Sequence, residues 1–184
     1  MPPNNLEQKI NNIEQLLRQH QHNGADFTEQ LRGQDLQQLG KIVLAAAAAS
    51  ISLTIPVKQY LKIIISWGAK SGASDDYLRF NSDSAANYTT TTGISQAQID
   101  LRNGANSALG GFSIIEIFNV SSLVKPVFLH TVNRITAAGT AISSYALFAS
   151  WVNTSDLITT IGLISSNAQT YPSDSSILIL SSKE

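Results

Sequence analysis

Apolar and polar residues alternate along most of the chain after Gly40. Ile51–Ile55 alternates cleanly, and Tyr60–Trp67 puts Ile63, Ile65 and Trp67 on one face. A period of two residues is typical of a strand that buries one face. Six further β-rich runs follow: Tyr77–Phe80, Phe112–Val120, Val124–Ile135, Ala141–Val152, Leu157–Ile164 and Ile177–Leu180.

These short runs are separated by segments rich in Gly, Asn, Ser and Pro, which are turn-forming residues. About eight strands at such intervals predict a mainly β protein with a jelly-roll-like β-sandwich. Residues 40–184 are enough for one sizeable core. Ala45–Ala49 has helical propensity, but strand patterns flank it on both sides, and we interpret it as a passage between two strands.

Residues 1–39 carry a different pattern, which predicts an N-terminal α-helix followed by a linker. Three glycines in the segment Gly24–Gly40 mark the boundary to the β domain. The apolar positions recur at alternating spacings of four and three, which is the seam of a coiled coil. Because the stripe is narrow, we expect it to pair with copies of itself as a short trimeric coiled coil; docking on its own β domain is the alternative. The predicted oligomerisation residues are Leu6, Ile10, Ile13, Leu17 and His20.

His20 and His22 end this seam and allow two exclusive interpretations. In an extended chain both side chains share a face, so a trimer would bring six imidazoles to its threefold axis, where they could bind a transition-metal ion. In a helix only His20 continues the seam, and Asn23-Gly24 provides the helix end. We favour the helix, so no cofactor is expected, and keep the metal site as an alternative.

Composition limits the classes of partner. Charged residues make up only 14 % of the chain and the net charge is −1, so no basic field attracts nucleic acid or anionic membranes. The most apolar stretch, Ile42–Val57, is interrupted by Ser, Thr and Pro and is too short to span a bilayer. With no Cys there is no disulfide and no thiol nucleophile.

The few residues that could take part in catalysis or ligand binding stand in sequence contexts that favour structural roles. His130 alternates with Leu129 and is interpreted as lying on a strand face, and no G-x-S-x-G motif marks a nucleophile. Asp75, Asp76 and Asp83 could supply calcium ligands, but their spacing fits turn chemistry better. Both tryptophans lie in or beside strand runs, which favours the core over a sugar-stacking surface. We therefore expect no catalytic residues.

Five segments of the chain form a recognisable set: Gly40–Leu44, Ile51–Pro56, Tyr60–Ile63, Leu78–Tyr88 and the H-x-H-x-G junction His20–Gly24. Together they resemble the virion β domains that phages encode, and the junction is similar to junctions in phage fibre and tail proteins. Ser82 and Ala85 stand where that resemblance leads us to expect glycine in a turn.

The resemblance implies a non-enzymatic virion component, commonly a homotrimer, that decorates a capsid or forms part of a head fibre. Its partners would be copies of itself and other virion proteins. The alternative is a receptor-binding tip of a tail fibre, which would bind a host surface glycan. Because only a short segment precedes the β domain, capsid decoration is the preferred interpretation.

Overall fold

The computed structural model describes residues 36–70, 75–90, 95–101, 110–134, 142–166 and 169–183. These residues form a mainly β structure of twelve strands and contain no helix. Leu36–Ser182 makes one compact unit. The predicted N-terminal helix, its coiled-coil seam and both histidines of the junction lie outside the described residues.

The twelve strands differ greatly in length, from two to ten residues. In chain order they are β1 (Leu36–Val43), β2 (Ser50–Thr54), β3 (Tyr60–Trp67), β4 (Asp76–Phe80), β5 (Tyr88–Thr90), β6 (Ser95–Gln96), β7 (Ile99–Asp100), β8 (Gly111–Phe118), β9 (Lys125–Arg134), β10 (Ile142–Trp151), β11 (Thr160–Ser165) and β12 (Ser176–Ser182).

The strands form two antiparallel sheets. The large sheet has eight strands in the order β1-β12-β3-β8-β9-β10-β5-β6, and the small sheet has four in the order β2-β11-β4-β7. Strands next to one another in a sheet are mostly distant in sequence, so tertiary contacts set the pairing. The exceptions, β8-β9, β9-β10 and β5-β6, are consecutive strands.

One hydrophobic core contains residues from both sheets. In β3 every second side chain is buried, which places Ile63, Ile65 and Trp67 inside, as the alternation predicted. β4 and β11 of the small sheet contribute Leu78 and Leu163 to the same cluster. Alternation therefore leaves one face of each of these strands in the core and the other directed away from it.

The strand predictions hold for most of the long elements. β3 has the predicted bounds, and β8 to β12 fall within or close to the predicted runs. Ala45–Ala49 connects β1 and β2 without forming a helix, and only Ala48 makes an isolated bridge, to Tyr171. The sequence did not predict β5, β6 and β7, and β1 begins before the predicted boundary at Gly40.

Candidate interaction surface

The face of the large sheet that points away from the core carries large apolar side chains. On β8, β9 and β10, Phe118, Phe128 and Phe148 are 47 %, 39 % and 58 % exposed. Phe112 on β8 is also exposed, and Ile114 is half-buried on the same face. Strand alternation normally places polar side chains on such a face. We call this surface of β3, β8, β9 and β10 the outer face.

Four aromatic rings form a continuous row across the outer face. Tyr60 of β3 lies opposite Phe118 with ring centroids 5.7 Å apart. The Phe118 ring is 6.3 Å from that of Phe128, which in turn lies 5.1 Å from Phe148 with nearly perpendicular planes. Edge-to-face pairs of this kind hold rings in defined orientations. The aromatic row is therefore an ordered surface in the free chain.

The charges beside the aromatic row neutralise each other. Lys62 Nζ lies 3.3 Å from Glu116 Oε1, and the hydroxyl of Tyr60 donates a 2.9 Å hydrogen bond to the same oxygen. Burial, together with the hydrogen bond and charge of Glu116, raises the pKa of Tyr60 to about 12. Tyr60 therefore remains a hydrogen-bond donor at neutral pH, and this pair and its tyrosine add no net charge to the outer face.

His130 lies on a strand face, as its alternation with Leu129 predicted, and the structure shows that this is the outer face. It is exposed and stands in register between Ile114 of β8 and Ala146 of β10. A shallow groove of about 220 Å³ runs beside it, with Glu116 and the Phe128 and Phe148 rings among its lining residues. The groove is mostly apolar, and His130 and Glu116 are its polar lining residues.

The outer face can stabilise contact with another apolar surface. Contiguous exposed apolar patches on proteins mark interaction sites. Covering the exposed parts of the three phenylalanine rings contributes a gross gain on the order of 5 kcal/mol before the entropic cost of association. With Lys62 and Glu116 paired, the surface favours a partner recognised by shape and apolar area.

Asp83 has the structural role that the turn interpretation predicted. Its carboxylate accepts hydrogen bonds from Trp151 Nε1 at 2.7 Å, Asn87 Nδ2 at 2.9 Å and the backbone N–H of Ala85 at 2.9 Å. Burial acts to raise its pKa, but these donors outweigh burial and hold the pKa below its usual range. The three donors already engage the carboxylate oxygens, which accounts for the aspartate without a metal ion.

Asp75 and Asp76 do not join Asp83 in one cluster. Asp76 begins β4 and is fully buried, where it contacts Lys70. Asp75 receives a long hydrogen bond from the hydroxyl of Tyr77, and its N–H donates to Ser166. Sequence reasoning missed Lys70, because nothing in the local pattern distinguishes a lysine buried after a strand from a solvated one.

Both tryptophans belong to the core, which confirms the preferred interpretation. Trp67 is 4 % exposed and Trp151 is fully buried. In the described parts of the chain, no group of three or more His, Asp or Glu side chains is placed to hold a metal ion. The predicted oligomerisation residues Leu6, Ile10, Ile13, Leu17 and His20 and the predicted metal ligands His20 and His22 lie outside those parts and stay predictions.

Comparison with family models and curated proteins identifies no family for the chain. No protein-family model matches the chain, and no curated protein matches it significantly. None of the described segments is a helix long and apolar enough to cross a membrane.

Proposed function

We propose that the chain is a non-enzymatic virion structural protein that acts as a homotrimer and decorates a capsid or forms part of a head fibre. The observation that carries the proposal is the outer face, an ordered apolar surface on the large sheet whose charged residues Lys62 and Glu116 are paired. A structural component needs surfaces of this kind, because its function is to remain attached to copies of itself and to neighbouring proteins.

The strand order supports the proposal through the fold. Strands β1, β12, β3 and β8 are neighbours in the large sheet, and β2, β11, β4 and β7 make up the small sheet. Successive strands of this set alternate between the sheets, except for β4 and β7, which are neighbours in the small sheet. We interpret the set as an eight-stranded jelly roll extended at β8 by β9, β10, β5 and β6. Jelly rolls occur in viral capsid and lectin domains.

A second copy of the chain is the partner that the outer face fits best. Lys62 and Glu116 on this face are paired with each other, so the apolar area around them favours a partner that also presents apolar area. Closed cyclic symmetry covers one such surface on every copy and leaves no open end. The N-terminal seam, predicted to form a trimeric coiled coil, would hold three copies in the same arrangement.

Light scattering on the size-fractionated full chain tests the oligomeric state. We expect three times the chain mass of 19.8 kDa at micromolar concentration. The double variant Phe128→Ser/Phe148→Ser should dissociate at concentrations where the wild type remains trimeric. Val57→Ser is the matched control, because Val57 is 47 % exposed but belongs to the loop after β2.

The outcomes separate the parts of the proposal. If the wild-type chain is a monomer, the proposed trimer is wrong. If the Phe128→Ser/Phe148→Ser variant remains as trimeric as the wild type, the outer face is not part of the interface between copies. Electron cryomicroscopy of purified particles tests the virion assignment itself. Density for the chain on the capsid would support decoration, and its absence from the particle would overturn the virion role.

The alternative is a receptor-binding fibre tip that recognises a host glycan. An exposed Trp or Tyr beside Asn or Asp would favour it. Trp67 and Trp151 are both buried, and Tyr77 beside Asp75 is half-buried. The groove beside Phe128 and Phe148 is the surface on which we test the alternative. Binding of a glycan on an array, abolished by Phe148→Ser, would favour the tip over the capsid role.

A further inference from the structure

Lys70 and Asp76 meet inside the protein. Lys70 follows β3 of the large sheet, and Asp76 is the first residue of β4 in the small sheet. Both side chains have no exposed surface, and Lys70 Nζ contacts Asp76 Oδ1 directly. Placing an ammonium and a carboxylate in a dry site removes the hydration of both ions, a cost that their mutual attraction offsets only in part.

Tyr171 closes the site around the pair. Its hydroxyl donates a 2.6 Å hydrogen bond to Asp76 Oδ1, and its ring centroid lies 4.5 Å from Lys70 Nζ. Lys70 Nζ also lies 3.4 Å from Ser165 Oγ. Tyr171 is itself fully buried. An amine, a carboxyl group and a hydrogen-bond donor to that carboxyl group are therefore held in contact in a site shielded from solvent.

We propose that Lys70 and Asp76 condense into an intramolecular amide bond. The lone pair of Nζ attacks Cγ of the protonated Asp76 carboxyl group, and a C–N bond forms. Charge develops on Oδ1, where the hydroxyl of Tyr171 stabilises it by hydrogen bonding. The bond from Cγ to Oδ2 then breaks, and Oδ2 leaves as water with its own proton and one from the amine. No oxidant or other reactant is needed.

Burial shifts both groups toward the neutral forms that this step requires. It lowers the pKa of Lys70 and, against the hydrogen bonds from Lys70 and Tyr171, raises that of Asp76. The state with an uncharged amine and a protonated acid is therefore less costly here than in water. Burial and the charge of Asp76 raise the pKa of Tyr171 above its usual range, so its hydroxyl keeps its proton and remains a donor.

Packing supplies the proximity that the reaction otherwise lacks. In solution, amide formation from a free amine and acid is slow, and holding the two groups in contact removes much of the entropic barrier. The bond would add a side-chain link across the loop that already connects β3 to β4.

Mass spectrometry of the denatured full-length chain tests the proposal. We expect the wild type to be lighter than its sequence by the mass of one water molecule. Tandem spectra should place that loss in a closed ring between Lys70 and Asp76. A wild-type chain with its full sequence mass after prolonged incubation would overturn the bond and leave a buried ion pair.

Three variants distinguish the formation of this amide bond from other reactions in which the chain loses water. Lys70→Arg should restore the full mass, because a guanidinium does not condense with the acid, whereas a succinimide at an aspartate would persist. Asp76→Asn should lose ammonia instead of water if the same attack occurs. Tyr171→Phe should slow the loss, and it keeps the ring over Lys70. Loss of water that survives Lys70→Arg would overturn the proposal.

Discussion

Ser82 adopts a backbone conformation that suits glycine. The N–H of Asp83 donates to the carbonyl of Phe80 at 2.9 Å and closes a turn whose central residues, Asn81 and Ser82, have φ of 51° and 59°. Two positive φ values are the type I′ arrangement, which prefers Asn-Gly. Asn tolerates this region because its short polar side chain can hydrogen-bond to the nearby backbone. For Ser, the crowding of its Cβ against the following carbonyl oxygen makes the region costly.

Ser82→Gly should therefore stabilise the fold. We expect the free energy of unfolding to rise by about 1 kcal/mol, since relief of the left-handed strain exceeds the added entropy of the unfolded chain. Urea denaturation measures the change. Ser82→Ala is the control, because it removes the hydroxyl and keeps the strained Cβ, and it should bring no gain. Equal stabilisation by both variants would refute the strain argument.

Asp83 should make the stability depend on acid pH. Its folded-state pKa is depressed, so its contribution is present above the unfolded pKa and is lost as the pH falls through the folded value. At pH 6 we expect Asp83→Asn to be less stable than the wild type by about 1–2 kcal/mol, because Asp83 is only half-buried. Below about pH 4 the difference should shrink. A difference that stays constant from pH 6 to pH 3 would show that charge plays no part.

At the residue scale the sequence predicted local roles better than long-range ones. The turn chemistry at Asn81–Asn87 is local, so the roles of Asp83 and of position 82 could be anticipated. Asp76 and Tyr171 are 95 residues apart, and only the fold brings them together. The strand-face position of His130 could be predicted from its alternation with Leu129, whereas the aromatic row depends on the order of the strands.

At the scale of elements, β3, β8 and β9 approach closely at Gly111. Gly111 pairs with Trp67 on one side and with Asn133 on the other. A Cβ at Gly111 would lie 2.3 Å from Asn133 Oδ1 and 2.5 Å from Trp67 Cζ2. Both neighbours are buried, so neither can turn outward into solvent to make room.

Gly111→Ala should destabilise the protein by about 1–3 kcal/mol, the usual cost of forcing extra volume into a packed interior. Gly162→Ala is the matched control in β11, since the nearest atom to its Cβ would be the carbonyl oxygen of Arg79 at 3.8 Å. We expect Gly162→Ala to change the free energy of unfolding by much less. Thermal unfolding followed by circular dichroism compares the two, and equal effects would contradict the packing argument.

Element prediction succeeded where one strand face is strongly apolar. β3 could be recognised with its bounds because alternating Leu, Ile and Trp residues mark its buried face. β5, β6 and β7 have only two or three residues each, which is too short for a periodic pattern. Leu36–Leu39 at the start of β1 was assigned to the linker, because an edge strand with two adjacent glutamines shows little alternation.

At the scale of the whole molecule, the two ends of the β region form one edge of the large sheet. Among the described strands, β1 pairs with β12 alone, and a bulge lies between Gln38 and Gly40. Sequence composition could not predict this pairing, because it joins segments from opposite ends of the β region. The alternation predicted two-faced strands, but which strands would be neighbours depends on packing across the entire core.

The same pairing predicts where the β region can begin. A chain that starts at Leu36 keeps every pair of β1 with β12, whereas one that starts at Gly40 loses the partners of Leu180, Ser181 and Ser182. It also loses Leu39, which packs against the core. We expect both to melt cooperatively, with the shorter chain less stable by about 2–4 kcal/mol.

Calorimetry of the two chains at equal concentration measures this difference. A loss of that size corresponds to a Tm lower by about 5–15 °C in a domain of this length. Both chains lack the predicted helix, so the helix cannot account for any difference between them. Equal Tm values would show that Leu36–Leu39 adds nothing to the sheet, and an unfolded chain from Leu36 onward would show that the N-terminal segment is needed for folding.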